Sequence, residues 1–244
     1  MTEQMLCGRN SVLEALKMDK PLNKILLQSG KLEGSVREVV KRAKGCDIPI
    51  EIVPVAKLKS LAGKLPHQGV IAFAAPMKYS KLEEVIALSK EKEHPPFLLL
   101  LDGLEDPQNI GAILRTAVAA GVDGVLLPKK GSCQITPAVN RASAGMAERI
   151  PVARIGNVMQ TLEKLKKEGF WIAGADMQGE LYYEQKDFSY PLVLVIGSEG
   201  KGISHLVTQH CDLLWRIPMP GEGSSLNASV AAALLIYEVL RKRG

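Results

Sequence analysis

Two runs of five residues, F-L-L-L-L at 97–101 and L-V-L-V-I at 192–196, carry no polar side chain. A strand without a polar face is covered on both sides, which is the condition of a strand inside a parallel sheet flanked by helices. The surrounding chain reads the same way. Helical stretches over 109–120, 137–144, 157–168 and 203–210 alternate with short strands at 124–127, 152–155, 170–175 and 213–219. From Val230 onward the last helix is apolar on more than one face, as a helix buried on several sides would be. Residues 96–244 are therefore expected to form an α/β domain on a parallel sheet.

The first part of the chain is smaller and has a different charge. Helices are expected over 10–18, 34–44 and 55–62, with strands at 24–28, 50–54 and 70–75. Residues 1–75 thus read as a complete small α/β domain. Residues 76–95 alternate Lys with Glu and read as a linker with room for a helix. The net charge of +5 is supplied entirely by residues 1–75, which hold 12 Lys/Arg against 7 Asp/Glu. A basic small domain beside a neutral larger one suggests an anionic macromolecular partner, although a solvated basic surface has the same composition. Phe73 is the only aromatic residue before position 76, so stacking of bases on a sheet of aromatics is not expected.

Several function classes fall away. No apolar run reaches membrane-spanning length, and the start M-T-E-Q-M-L-C-G has neither the basic head nor the apolar core of a signal peptide. Cys7, Cys46, Cys133 and Cys211 lie far apart with no C-x-x-C pair, which argues against a disulfide framework and fits a reducing cytoplasm. The four histidines form no H-E-x-x-H pattern, and no metal is expected.

In a parallel sheet, ligands gather beyond the carboxyl ends of the strands. Three loops at such ends carry unusual polar content: D-G-L-E-D-P-Q-N-I-G-A-I-L-R-T-A at 102–117, I-G-S-E-G-K-G-I at 196–203, and P-G-E-G-S-S-L-N at 220–227. In the first, Asn109 opens the helix, Gly111 admits a close neighbour at its first turn, and Arg115 follows on the same helix. The second fits neither the dinucleotide nor the P-loop fingerprint, and Glu199 in its middle would repel a phosphate. It reads either as a tight structural turn or as a loop whose backbone holds a neutral or cationic ligand. In the third, Ser224, Ser225, Asn227 and Ser229 are residues that cap helices.

Taken together, N-I-G-A-I-L-R-T-A, I-G-S-E-G-K-G and I-P-M-P-G-E-G-S-S-L-N-A-S-V-A-A-A resemble the three motifs of the SpoU (TrmH) family. These are S-adenosylmethionine-dependent RNA ribose 2′-O-methyltransferases of the SPOUT superfamily. The resemblance spans about 96–244. G-R-N-S-V-L-E-A-L and H-Q-G-V-I-A resemble parts of the small substrate-binding domain of the 23S ribosomal RNA (guanosine-2′-O-) branch. The resemblance implies a knotted C-terminal segment, although chains in general do not knot. It also implies a homodimer through the C-terminal domain and an RNA partner, most specifically a guanosine of 23S rRNA. A transfer-RNA substrate and a non-catalytic RNA-binding protein on the same fold are the alternatives, and the failed fingerprints disfavour a nucleotide-dependent enzyme.

By the same resemblance, the main chain around Ile196, Gly197, Ile217, Met219 and Leu226 holds the cofactor's adenosine. Arg115 reaches the target's phosphate and ribose hydroxyl, Asn109 and Glu199 orient it, and Ser225 and Asn227 line the ribose side. Each of these could equally be a cap, turn or core residue, and Arg115 an ion-pair partner of Glu105 or Asp106. An arginine is a poor base, so a forked donor to phosphate and developing oxyanion is favoured over a general base, which stays open.

Overall fold

The computed structural model describes residues 4–17, 22–30, 34–74, 79–182, 188–221 and 225–244. They form two compact units that divide between Lys78 and Tyr79.

The first unit runs β1 (Gln4–Cys7), α1 (Arg9–Lys17), β2 (Leu22–Gln28), α2 (Ser35–Gly45), β3 (Ile50–Val53), α3 (Val55–Ala62) and β4 (Val70–Ala74). Its sheet order is β1-β4-β2-β3. β4 runs antiparallel to both neighbours while β2 and β3 are parallel. Alternation along β4 divides the core. Val70, Ala72 and Ala74 join Val12, Leu16 and Val39 on one face, and Ile71 meets Leu58 and Ala62 on the other. β1 is an edge strand of four residues with no β-branched side chain, too short for periodicity to reveal. Because β4 is reversed, the loop that enters it lies at the same edge as the loop leaving β1. There Arg9 donates from its backbone N to Gln68 Oε1 (3.2 Å) and from Nε to Gln68 O (2.9 Å).

The second unit runs α4 (Leu82–Lys90), β5 (Phe97–Leu101), α5 (Pro107–Ala119), β6 (Gly124–Pro128), α6 (Pro137–Ala142), a 3-10 turn at Met146–Glu148, β7 (Val152–Ile155) and α7 (Val158–Lys167). β8 (Trp171–Leu181), β9 (Leu192–Ile196), α8 (His205–His210), β10 (Leu213–Arg216) and α9 (Ala228–Arg243) complete it. Its six strands take the order β10-β8-β9-β5-β6-β7. Every pair is parallel, as the wholly apolar runs require, and β5, β6 and β9 are buried throughout. Leu98 and Leu100 face a core shared with α4, α7 and α8. By alternation Leu99 and Leu101 face the opposite side.

Two elements differ from what the local pattern suggests. The stretch 76–95 falls partly outside the described residues. From Ser80 it is packed rather than free, because Ser80 N donates to Val152 O (2.9 Å) and Val85 and Ile86 of α4 enter the sheet's core. The Lys/Glu alternation marks only the solvent side of that helix. β8 extends to Leu181, past the expected end at Ala175, because it leaves the ladder and returns. Leu214 pairs with Gly174, and the next residue of β10, Trp215, pairs with Glu180. Residues 175–179 therefore bulge from the sheet. Gly179 permits this, since a Cβ there would lie 2.3 Å from the Leu214 carbonyl oxygen.

α9 is tied down at its far end by Arg243. Its Nε donates to Phe188 O (2.9 Å), Nη1 to Pro95 O (2.6 Å) and Nη2 to Tyr190 O (2.8 Å). Those carbonyls lead into β5 and β9, the two strands whose other ends bear the first two polar loops.

Candidate active site

All six strands of the second unit end on the same side, so their exit loops share one edge. β5 connects through α5 to β6 on one flank, whereas β9 connects through α8 to β10 on the other. The connections diverge between β5 and β9, and a crevice opens at such a switch point.

Asp106, rather than Asn109, caps α5, accepting from Gln108 N (3.1 Å) and Asn109 N (3.4 Å) with Pro107 in the first turn. This leaves the Asn109 side chain for another use, and it is buried. Gly111 does admit a close neighbour, and the neighbour is α6. A Cβ at Gly111 would stand 2.4 Å from Ala142 Cβ and 2.8 Å from Val139 O.

The glycine-rich loop after β9 is a tight turn closed by paired bonds, Ser198 N to Gly202 O (3.0 Å) and Gly202 N to Ser198 O (2.9 Å). Gly200 and Gly202 have φ of 76° and 66°, a region that favours glycine. At Gly197 a Cβ would fall 2.0 Å from the Gly202 carbonyl carbon, so no other residue fits. The turn projects Glu199 into the crevice. Its Oε1 accepts from Asn109 Nδ2 (3.0 Å), from Ala228 N (3.2 Å) and from Asn227 Nδ2. Asn227 Nδ2 also donates to Asn109 Oδ1 (2.9 Å). One carboxylate thus binds the loops after β5, β9 and β10 together. Asn227 is at once the cap of α9, its Oδ1 accepting from Ser229 N (2.9 Å) and Val230 N (3.4 Å).

Beside this knot of hydrogen bonds lies a cavity of ≈ 320 Å³. Ile196, Gly197, Ile217, Met219 and Leu226 all line it, as do Glu199 and Ser225. Ala228 and Ala231 of α9 also line it, and another wall is the β8 bulge, Ala175 to Gln178, with Trp215 behind. Sequence reasoning missed that wall. Its signal was a polar D-M-Q stretch bracketed by Gly174 and Gly179 within an otherwise strand-like run. The walls combine apolar side chains, backbone groups of a glycine turn, the carboxylates of Asp176 and Glu199, and one cation, Lys201. That combination suits a largely apolar ligand bearing positive charge. Ser224 lies outside the described residues.

Arg115 stands apart from this group. It is exposed on α5, and six residues of helix carry it about 240° around the axis from Asn109. It does not line the cavity. No ion pair joins it to Glu105 or Asp106 among the described residues. Among those residues no three His, Cys, Asp or Glu side chains converge as a metal site would need, and no helix is long and apolar enough to cross a membrane.

Residues 96–237 match the model of the SpoU rRNA Methylase family, and residues 5–80 match a model described as RNA 2′-O ribose methyltransferase substrate binding. A Staphylococcus aureus protein, named as a TrmH family tRNA/rRNA methyltransferase, is 46% identical over 243 residues, covering 100% of this chain and 98% of its own. The crystal structure of an RNA 2′-O ribose methyltransferase superposes with a TM-score of 0.68 at 29% identity, covering 99% of this chain and 89% of that one. The SpoU methyltransferase AviRb from Streptomyces viridochromogenes, solved in complex with the cofactor AdoMet, shares the fold. Its TM-score is 0.73 at 24% identity, over 99% of this chain and 90% of that one. The three loops joined by Glu199 and the matches at both ends of the chain lead to one conclusion: this protein belongs to the SpoU rRNA methylase family.

Proposed function

We propose that this chain transfers a methyl group from S-adenosylmethionine to a ribose 2′-hydroxyl of RNA, and that the substrate is a guanosine of 23S ribosomal RNA. The observation that carries the reading is the cavity walled by Ile196, Ile217, Met219 and Leu226 with the Glu199 carboxylate at its edge. Bound there, S-adenosylmethionine supplies a methyl group made electrophilic by a cationic sulfonium. The apolar walls take an adenosine, the glycine-turn backbone offers it donors and acceptors, and two carboxylates, Asp176 and Glu199, against one lysine, Lys201, favour positive over negative charge.

The leaving thioether is neutral and needs no acid, and the hydroxyl proton is released to solvent water as the O–CH3 bond forms, so the protein's task is to align the hydroxyl and stabilise the oxyanion developing on it. Arg115, exposed near the motif loops, serves as a forked donor to the target phosphate and oxygen. Asn109, Glu199 and Asn227 act by holding the three loops in register, and Ser225 faces the ribose side. Ile217, Met219, Ser225 and Leu226 line the same cavity as the turn after β9, and Asn227 and Ala228 are gripped by Glu199, an arrangement consistent with the knot of the family.

A second copy of the chain is the proposed partner of α9. Val230, Leu234 and Tyr237 are 47%, 40% and 49% exposed. Their i, i+4, i+7 spacing puts them on one stripe. Sedimentation at micromolar concentration should show a dimer, and a monomer would refute this part.

The substrate is tested by supplying methyl-labelled S-adenosylmethionine with ribosomal or transfer RNA from cells lacking this gene. Label should enter 23S RNA and survive alkaline hydrolysis in a dinucleotide, because a methylated 2′-oxygen cannot attack its phosphate. Label only in transfer RNA favours the transfer-RNA reading, and label recovered in mononucleotides after alkali places the methyl group on a base.

A further inference from the structure

Between β6 and α6 lies the loop 129–136, K-K-G-S-C-Q-I-T. It has little apolar surface to bury, yet its backbone is held at Lys129, Cys133 and Ile135. Lys129 N donates to Ile155 O (2.8 Å), Cys133 N to Leu104 O (3.1 Å), and Ile135 N to the Tyr79 hydroxyl (2.8 Å). Arg154, on β7, spends its guanidinium on the same loop, with Nη1 to Cys133 O (3.1 Å) and Nη2 to Lys129 O (3.0 Å). It also lies 5.9 Å from the Tyr79 ring centre, within the range of a cation–π contact. An arginine fork across two carbonyls of one loop acts as a staple.

What the staple presents is positive charge. Lys129 and Lys130 are exposed, and neither has an ion pair among the described residues. The loop runs directly into α6, whose exposed Arg141 is likewise without one. α6 in turn is pressed onto α5 at Gly111, so these cations are fixed relative to the helix that carries Asn109 and Arg115. In the sheet, β6 lies on the far side of β5 from β9. The loop therefore flanks the motif helix on the side away from the cofactor cavity. Acidic residues nearby include Asp106, engaged in capping α5, and Glu148, whose Oε1 accepts from Asn140 Nδ2 (2.8 Å) beside Arg141.

We propose that Lys129, Lys130 and Arg141 form a phosphate-holding shelf on the catalytic unit, kept in place by Arg154 acting as a positioning residue. The shelf grips the backbone of the RNA strand entering beside α5. This rests on the RNA-methyltransferase reading above. Cations on a pinned loop lose little freedom when they meet a phosphate, and lysines contact backbone as point charges without reading bases. Register, not sequence preference, is what such a shelf supplies.

The test uses the full chain, a labelled 30-nucleotide RNA stem-loop for binding, and 23S RNA for methyl transfer. In the triple variant Lys129→Ala, Lys130→Ala, Arg141→Ala, the slope of log affinity against log salt should fall by about 2, near 0.7 for each lost phosphate contact on unpaired RNA. KM for RNA should rise about tenfold with kcat and S-adenosylmethionine affinity unchanged, the signature of lost uniform binding. Arg154→Gln keeps the lysines and should raise KM for RNA several-fold with kcat intact, and Arg154→Lys should restore it only in part. Wild-type RNA binding with an unchanged salt slope in the triple variant overturns the shelf alone. A wild-type chain that neither binds nor methylates RNA overturns the functional reading with it.

Discussion

The two units place their polar loops at sheet edges in different ways. In the first, reversed β4 brings the loop before it to the edge where β1 ends, and Arg9 meets Gln68 there in a contact made largely with backbone. In the second, six parallel strands send every exit loop to one edge, and three of those loops close around a cavity through Glu199. Charge is divided in the opposite sense, the whole +5 excess residing in residues 1–75. Parallel topology concentrates chemistry because it concentrates strand ends. The small mixed sheet contributes a basic surface instead, suited to holding a polyanion.

The largest expected effect isolates the chemistry of the second unit. Gly197→Val would drive side-chain carbon into the Gly202 backbone, where even a Cβ would be 2.0 Å away. S-adenosylmethionine binding measured by calorimetry should be lost, while RNA binding through the basic first unit persists. If the variant binds cofactor normally, the turn is not part of the site.

Next comes the residue that stands outside the Glu199 cluster. Arg115→Ala should lower turnover by about 10²–10³, as for loss of one oxyanion donor, and Arg115→Lys should recover only part of it. Cofactor affinity should be unchanged in both, because Arg115 does not line the cavity. A fall in cofactor affinity equal to the fall in turnover would place Arg115 in the cofactor site.

Such a division was partly legible in the sequence and partly not. β5 and β9 were legible because burial on both faces removes every polar residue from them. Ile196, Gly197, Ile217, Met219 and Leu226 were identified through the motifs and do share one cavity. Asn109 was placed as the opener of α5, whereas Asp106 caps it; a helix start has several residues able to cap, and only the fold shows which is used. The resemblance also linked Arg115 to Asn109, although six residues of helix turn the one away from the other. The β8 bulge was missed despite the glycines that bracket it, because its cause, the approach of Leu214 to Gly179, lies more than thirty residues further on. Helix α4 was allowed for within the linker, but the charges on its exposed side hid the packing of Val85 and Ile86 into the core.

Smaller effects sharpen the same contrast. Asn227→Ala removes both the cap of α9 and a donor to Glu199, and should cost about 1 kcal/mol from the cap alone. The second unit's thermal unfolding should shift downward and the first unit's should not. An unchanged transition would mean the cap is dispensable. Smaller still is Cys211, whose thiol burial, aided by Asp212, pushes up to about 12 from 9.0. The folded state holds that proton more tightly than the unfolded chain, so the contribution is present below pH 9 and is lost as pH rises towards 12. Cys211→Ala should flatten the alkaline part of the stability profile, and an identical slope would remove the thiol from the account.

The most direct measurement concerns the cavity itself. Ala231, on α9, lines it, and Ala231→Phe would fill space that the cofactor is expected to occupy. Calorimetric titration of S-adenosylmethionine into the full chain should show one site per chain for the wild type. Affinity for Ala231→Phe should be at least about tenfold weaker, equal to roughly 1.4 kcal/mol, with thermal unfolding retained. A folded Ala231→Phe that binds as the wild type does would put the cofactor elsewhere and contradict the assignment of the three loops.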